Sequence, residues 1–179
     1  DGEDIRGNYN IPGFKTFYPL TVDGDDISEK VRIVCLTKQN NPDIKFKARE
    51  DLMSNETPSI WIEARSGTGT KFLIGGFYRE WNHDGDESME GQVNRTGVIA
   101  SQIEMACTEC DRVAIIGDMN LCSESWGLKD YRYKRVADIM KETLVANNLK
   151  LHNIGRTFFA NHPNAEGEYA SSALDHIYT

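Results

Sequence analysis

An aspartate and an asparagine two positions apart, Asp118 and Asn120, follow the apolar run 113–116 and Gly117. A short apolar run that stops at a glycine predicts a buried strand with an abrupt end. In an extended chain, residues i and i+2 point to the same side, so both side chains can address one spot. There a carboxylate can take a proton from water while an amide donates hydrogen bonds to a charged oxygen. By itself the pattern favours an Asp-x-Asn turn bonded to its own backbone, and hydrolytic chemistry is favoured only when the other segments are considered with it.

Other polar side chains stand at or within predicted strands. Tyr78 and Arg79 close the apolar segment 71–78, and Asp175 lies inside the alternating segment 170–179. Aspartate is disfavoured in a strand interior, so Asp175 is expected to have a partner, either an arginine or a backbone amide. Tyr78 can equally be an aromatic at the edge of the core. His176, beside Asp175, is predicted to be a packed strand residue.

These residues need a framework of strands and helices to bring them together. Period-two alternation predicts a hairpin over 59–65 and 71–78, and β-branched residues predict a strand over 31–36. Apolar residues at three- and four-residue spacing predict helices over 88–109 and about 130–147. Residues 37–57 are polar and are predicted to form a connection with a partly ordered middle. The order of elements favours the α+β class, with layered, mostly antiparallel sheets.

Composition restricts the functional classes. The 179 residues, with 39% hydrophobic and 27% charged side chains, are typical of one globular domain over 1–179, and no run is long enough to span a membrane. The formal net charge of −8 works against broad nucleic-acid affinity. One dense basic cluster remains, formed by Arg132, Lys134 and Arg135 in the first turn of the second predicted helix. It is either placed for a partner or is a solvated face.

Three segments in this order resemble the endonuclease/exonuclease/phosphatase superfamily: GFYR at 76–79, GDMN at 117–120 and SALDHI at 172–177. The resemblance covers about residues 58–179, and within the superfamily the chain is most similar to the endonuclease domain of non-LTR retrotransposons. It implies a four-layer αββα sandwich of two mostly antiparallel sheets flanked by helices, here incomplete. It also implies a nuclear, magnesium-dependent enzyme with no membrane partner. Such an enzyme nicks chromosomal DNA, and the freed 3′ end primes reverse transcription by a reverse-transcriptase domain in the same polypeptide.

The resemblance also implies roles for individual residues. Asp118 would orient and deprotonate the attacking water, and Asn120 would hydrogen-bond the scissile phosphate. Tyr78 would contact that phosphate through its hydroxyl, with Arg79 also binding substrate. Asp175 would orient a catalytic histidine, and Ser172 would support the last strand or touch the DNA backbone. Mg²⁺ would neutralise charge that develops on the phosphate.

The chain also departs from the family pattern. The family has an asparagine on its first strand, a metal-binding glutamate about a strand later, and a catalytic histidine in a Ser-Asp-His segment near its end. None of the three is found in these 179 residues. We therefore expect the polypeptide by itself to hydrolyse no phosphodiester and to bind Mg²⁺ weakly, while the parent protein nicks DNA. The protein ligands of the metal stay unassigned.

Two other functions remain open at the level of sequence. The same superfamily includes enzymes for other phosphoesters, such as abasic-site DNA, phosphoinositides or phospholipids, and fold does not fix the substrate. The acidic net charge favours this alternative, whereas the basic cluster and the retrotransposon-like segments favour DNA. A non-catalytic binding domain of the same fold is the other alternative. The intact set of Tyr78, Asp118, Asn120 and Asp175 argues against it.

Overall fold

Alternating apolar side chains build the central hairpin, which consists of β4 (Ser59–Ser66) and β5 (Lys71–Tyr78). In the computed structural model, which describes residues 11–20, 32–81, 85–152, 154–163 and 167–179, this hairpin lies inside a six-stranded mixed sheet. With two helices and two smaller antiparallel sheets beside it, the chain has the predicted α+β architecture. Of the helices in the described ranges, none combines the length and apolarity needed to cross a bilayer.

The six-stranded sheet has the order β3-β4-β5-β6-β10-β7. Only the β5–β6 pair is parallel, because the helix Met89–Glu109 connects these two strands, and the other pairs are antiparallel. The C-terminal ends of β5 and β6 therefore meet at one edge of the sheet. The remaining strands are β3 (Ile44–Ala48), β6 (Val113–Asp118), β7 (Leu151–His152) and β10 (Asp175–Tyr178).

Both helices pack on one face of this sheet. Helix α1 (Met89–Glu109) begins after Ser88, whose hydroxyl accepts a hydrogen bond from the N–H of Gly91 and caps the first turn. Helix α2 (Lys134–Ala146) lies against α1. The shared core takes its side chains from alternate strand positions and from both helices, and includes Trp61, Leu73, Phe77, Ile99, Ile103, Ile115, Val136, Met140 and Tyr178.

The opposite face is only partly covered. Strands β1 (Phe14–Phe17) and β2 (Cys35–Lys38) form a two-stranded sheet, and Phe17 packs with Ile60 and Ile62 of β4. Further along the same face, Ile116 of β6 remains 48% exposed. The described layers are thus the helices, the six-stranded sheet, and a short second sheet over one part of it.

The structure corrects several predicted boundaries. The polar stretch 37–57, predicted as a connection with a partly ordered middle, has strand β3 and the 3-10 turn Glu50–Leu52 in that middle. The predicted strand 31–36 is observed at Cys35–Lys38, and its first residue lies outside the described ranges. Helix α2 begins at Lys134, so Arg132 precedes the helix instead of lying in its first turn. Helix α1 and the β4–β5 hairpin confirm their predictions.

The predicted strand 170–179 is divided into two. Its first part, β9 (Ser171–Ser172), pairs with β8 (Phe158–Phe159) in a separate small sheet. The division falls at the next two residues, whose carbonyl oxygens accept bonds from the chain that follows β6. The N–H of Ser123 donates to Ala173 and that of Met119 donates to Leu174, at 3.1 and 2.9 Å.

Candidate functional site at the C-terminal ends of the strands

Tyr78, Asp118 and Asp175 form a row across three neighbouring strands. Asp118 of β6 is the Cα partner of Tyr78 on one side and of Asp175 on the other. Paired residues on adjacent strands point to the same face about 5 Å apart. The three side chains, each half-buried, therefore stand together on the partly covered face. Asp118 and Asp175 are 57 residues apart in sequence, and the pairing of the strands brings them together.

Gly117 allows β5 and β6 to approach closely beside this row. A Cβ atom at Gly117 would lie 1.9 Å from the carbonyl oxygen of Phe77, a distance that no side chain tolerates. The glycine before the aspartate is therefore needed for the pairing of Tyr78 with Asp118. The sequence signal that marked the end of the strand also sets the spacing of the row.

The chain turns sharply after Asp118. One carboxylate oxygen of Asp118 accepts the backbone N–H of Asn120 at 2.8 Å, and Asn120 is left-handed with φ of 47°. The two residues are thus not related by an extended chain, and the predicted i, i+2 geometry is wrong. The Asn120 amide nitrogen instead donates to the carbonyl of Arg79 at 2.8 Å, across to the end of β5. Asn120 is fixed at the same sheet edge as Asp118.

The buried side chain of Arg79 holds this turn in place by hydrogen bonds. Its side chain is fully buried, and its guanidinium donates to the carbonyl oxygens of Met119 and Asn120 and to the side-chain oxygen of Gln92. Burial lowers the pKa of Arg79 to about 10, so the group stays charged at neutral pH. The prediction that Arg79 binds substrate does not fit this placement, because the side chain is fully buried and each of its three nitrogens donates to a group inside the protein.

The two carboxylates of the row have little positive charge to balance them. Burial raises the pKa of Asp118 above its usual value, and the charge of Asp175 acts in the same direction. The N–H bond from Asn120 and the charge of Arg79 oppose this rise. Among the described residues, no Lys, Arg or His side chain forms an ion pair with Asp118 or Asp175. The arginine partner anticipated for Asp175 is thus not found in the ranges described.

Sequence reasoning missed a cation at the site, Arg32. Its guanidinium carbon lies 5.7 Å from the ring centroid of Tyr78, and its side chain is exposed. Arg32 lies outside the strands, three residues before β2, and is 46 positions from Tyr78 in sequence, so no spacing rule connects the two. The one available signal was an arginine in the otherwise apolar segment 31–36.

Two other residues of the SALDHI segment, Ser172 and His176, lie outside the row. Ser172 belongs to β9 and pairs with Phe158, outside the six-stranded sheet. His176 points to the helix side, is buried, and hydrogen-bonds the Tyr178 hydroxyl and the Ala173 carbonyl. Burial lowers the pKa of His176, which favours the neutral ring. The prediction that His176 is a packed strand residue is confirmed.

The basic cluster lies close to the chain that follows Asn120. Tyr131 accepts a hydrogen bond from the N–H of Cys122 at 3.0 Å and so holds the segment before α2 against the turn. Arg132 stacks on Tyr133 at 5.3 Å, and Lys134 pairs with Asp138 at 2.7 Å. Part of the cluster's charge is therefore balanced locally.

Asp118 and Asp175 are the carboxylates available at the site for the magnesium ion that the resemblance implies. No group of three or more His, Cys, Asp or Glu side chains suited to a metal occurs within the described ranges. Mg²⁺ in phosphoryl chemistry is usually held by one or two carboxylates together with phosphate oxygens and water. Asp118 and Asp175 supply such a pair, with their repulsion unrelieved. They fit an ion that is held jointly with substrate, not one enclosed by protein alone.

Comparison of the chain with protein-family models and with curated protein sequences found no match.

Proposed function

We propose that this chain carries the site of a magnesium-dependent phosphodiester hydrolase. Within that class, we propose that it is the DNA endonuclease domain of a retrotransposon-type reverse-transcriptase polyprotein, which nicks target DNA in the nucleus. The observation that carries the proposal is the row of Tyr78, Asp118 and Asp175 at the ends of three strands, with both carboxylates unpaired in the described structure. Titratable groups that lie together in a perturbed environment are candidates for a functional site.

Asp118 is the general base of the proposed reaction. One of its oxygens is fixed by the N–H of Asn120, which leaves the other to accept a proton from the attacking water. A raised pKa brings a carboxylate closer to the range in which a base works well at neutral pH. Asp175, beside it, holds a positively charged group in position, which in the parent protein is the catalytic histidine that the resemblance implies.

Asn120 and Tyr78 bind the phosphate. The Asn120 amide nitrogen uses one hydrogen on the Arg79 carbonyl and keeps a second for a phosphate oxygen. The Tyr78 hydroxyl, half-buried at the end of β5, donates from the other side of Asp118. Asp118 and Asp175 would help to hold Mg²⁺, which would supply positive charge that stabilises the transition state. Ser172 supports the segment before β10 through its pairing with β8.

The test is plasmid nicking by the full-length product of the open reading frame that contains these residues. With Mg²⁺, Asp118→Asn is expected to lower the conversion of supercoiled to open-circular DNA by roughly 10²–10⁴-fold, because one general base is lost. The matched control is Asp111→Asn, which removes an exposed carboxylate at the opposite end of β6 and should leave the rate unchanged. Equal rates for both variants would exclude Asp118 as the base.

Phosphate release from a phosphoinositide and binding to DNA, measured beside plasmid nicking on the same proteins, separate the substrate classes. The 179 residues alone are expected to produce no nicks, whereas the full-length product nicks DNA and carries a reverse-transcriptase domain. An Asp118-dependent release of phosphate from a phosphoinositide, without nicking, would assign another substrate of the same superfamily. DNA binding without any Asp118-dependent hydrolysis would assign a non-catalytic domain.

A further inference from the structure

The proposed site needs a cation that Arg79 does not supply. A phosphodiester carries a negative charge, and in this site it would lie beside two carboxylates whose charges repel it. The motif arginine, Arg79, is buried under the turn with its donors occupied by Met119, Asn120 and Gln92. Within these residues, positive charge for the substrate, besides that of the proposed Mg²⁺, can come from a cationic side chain that solvent reaches.

Arg32 is held in the appropriate place. The next residue, Ile33, packs on β5 at Gly76, where its Cδ1 lies 3.0 Å from the position that a Cβ would take. Gly76 precedes Tyr78 by two residues on the same face of the strand. The missing side chain at Gly76 thus makes room for Ile33, and the Arg32 guanidinium reaches the ring of Tyr78.

The guanidinium of Arg32 is also free to act. No carboxylate of the described residues pairs with it, although its side chain is exposed. Stacking on an aromatic ring restricts the orientation of the planar fork without using its N–H donors. Two of those donors match two oxygens of a phosphate.

We propose that Arg32 is a phosphate-binding residue of this site and that, with the Tyr78 hydroxyl, it clamps a phosphodiester of the DNA backbone next to Asp118. This inference rests on the proposed function. It assigns to a residue outside all three sequence motifs the positive charge that brings a nucleic-acid backbone to an acidic protein.

A second arginine of the same chain provides a matched control. Arg112 stacks on Phe72 at 5.9 Å, is exposed, and stands at the opposite end of the β5–β6 pair. Replacing either arginine by glutamine removes the same charge from the same kind of stacking arrangement. A difference between the two variants therefore reports position and not net charge.

The experiment measures binding of the 179-residue chain to a fluorescein-labelled DNA duplex by anisotropy, in EDTA and over a series of salt concentrations. Arg32→Gln is expected to weaken binding about tenfold and to reduce the slope of log K against log salt by about 0.9. Arg112→Gln should change neither quantity. Arg32→Lys should keep the slope and recover part of the affinity, because it restores the charge without the fork.

Each outcome has a separate meaning, provided that circular dichroism shows the variants folded like the parent chain. Equal binding by Arg32→Gln and Arg112→Gln would overturn the role of Arg32 while leaving the proposed endonuclease intact. No measurable DNA binding by the unsubstituted chain would overturn DNA as the substrate and this inference together.

Discussion

The two ends of the β5–β6 pair differ in whether their charged side chains form ion pairs with other described residues. Where β5 begins, Lys71 pairs with Glu109 at 2.9 Å, and Glu109 also binds Arg49, which in turn pairs with Asp51 at 2.6 Å. Where the two strands end, Asp118 and Asp175 stand together without a cation partner in the described ranges. One end is a closed ion network and the other is an open set of charges.

This difference has opposite electrostatic consequences. Hydrogen bonds from Arg49 and Lys71 lower the pKa of Glu109 to about 2, so its ionised form stabilises the fold. Burial and the neighbouring Asp175 raise the pKa of Asp118, so its ionised form destabilises the fold. Perturbed carboxylates that oppose stability cluster at functional sites, whereas paired ones are usually structural. The comparison thus separates structural charge from charge that a ligand can use.

The largest effect on stability is expected at Arg79, the buried cation under the open end. Arg79→Met removes the donors to Met119, Asn120 and Gln92 and leaves three acceptors without partners in the interior. Each such loss costs about 1–3 kcal/mol, so the free energy of unfolding should fall by about 3–5 kcal/mol. Urea denaturation of the 179-residue chain measures it. Arg112→Met, at an exposed arginine, should change stability by less than about 0.5 kcal/mol.

Arg79→Lys provides an intermediate case. It keeps the charge but not the planar fork, so it should recover part of the loss by bonding one or two of the three acceptors. Stability losses as small for Arg79→Met as for Arg112→Met would mean that the turn after β6 holds without its buried cation.

The comparison of paired and unpaired arginines predicts the next largest effect. Arg49→Met leaves Glu109, Asp51 and Glu63 near one another without their shared cation, and should lower the free energy of unfolding by about 1–3 kcal/mol. Arg32→Met should leave stability within about 0.5 kcal/mol, because the described residues contain no ion partner for Arg32. Thermal unfolding of both variants checks this. A comparable loss at Arg32 would show that its charge is structural.

Local patterns were sufficient to predict most of the framework. The alternation in β4 and β5, the helical spacing in α1 and the apolar run of β6 each follow from the periodicity of one element. Tyr78, Asp118 and Asp175 were expected to lie together because of the resemblance that their three motifs carry, and not because of any local periodicity. Strand β3 was missed, because its alternation of Ile44, Phe46 and Ala48 with lysines is short and lies in a polar stretch.

Long-range contacts explain what the sequence could not predict. Arg79 is buried under the turn that follows β6, whereas Arg32 is exposed and lies over the ring of Tyr78. The burial of Arg79 depends on its hydrogen bond to Gln92 of α1. The position of Arg32 depends on the packing of Ile33 on Gly76, which is distant in sequence. Local spacing contains no information about either contact.

The smallest expected effect is the pH dependence of the closed end. Glu109 has a folded-state pKa of about 2, below its ordinary value of 4.5, so its stabilising contribution is complete above about pH 4.5 and is lost as the pH falls towards 2. Because Glu109 is 40% exposed, water screens the network, and Glu109→Gln should lower Tm at pH 7 by only about 1–4 °C. Between pH 4.5 and 2, Tm of Glu109→Gln should fall less steeply than that of the parent chain. Asp111→Asn, which removes an exposed carboxylate at the same end, should follow the parent chain, and parallel curves for all three proteins would mean that the Glu109 ion pairs contribute nothing to stability.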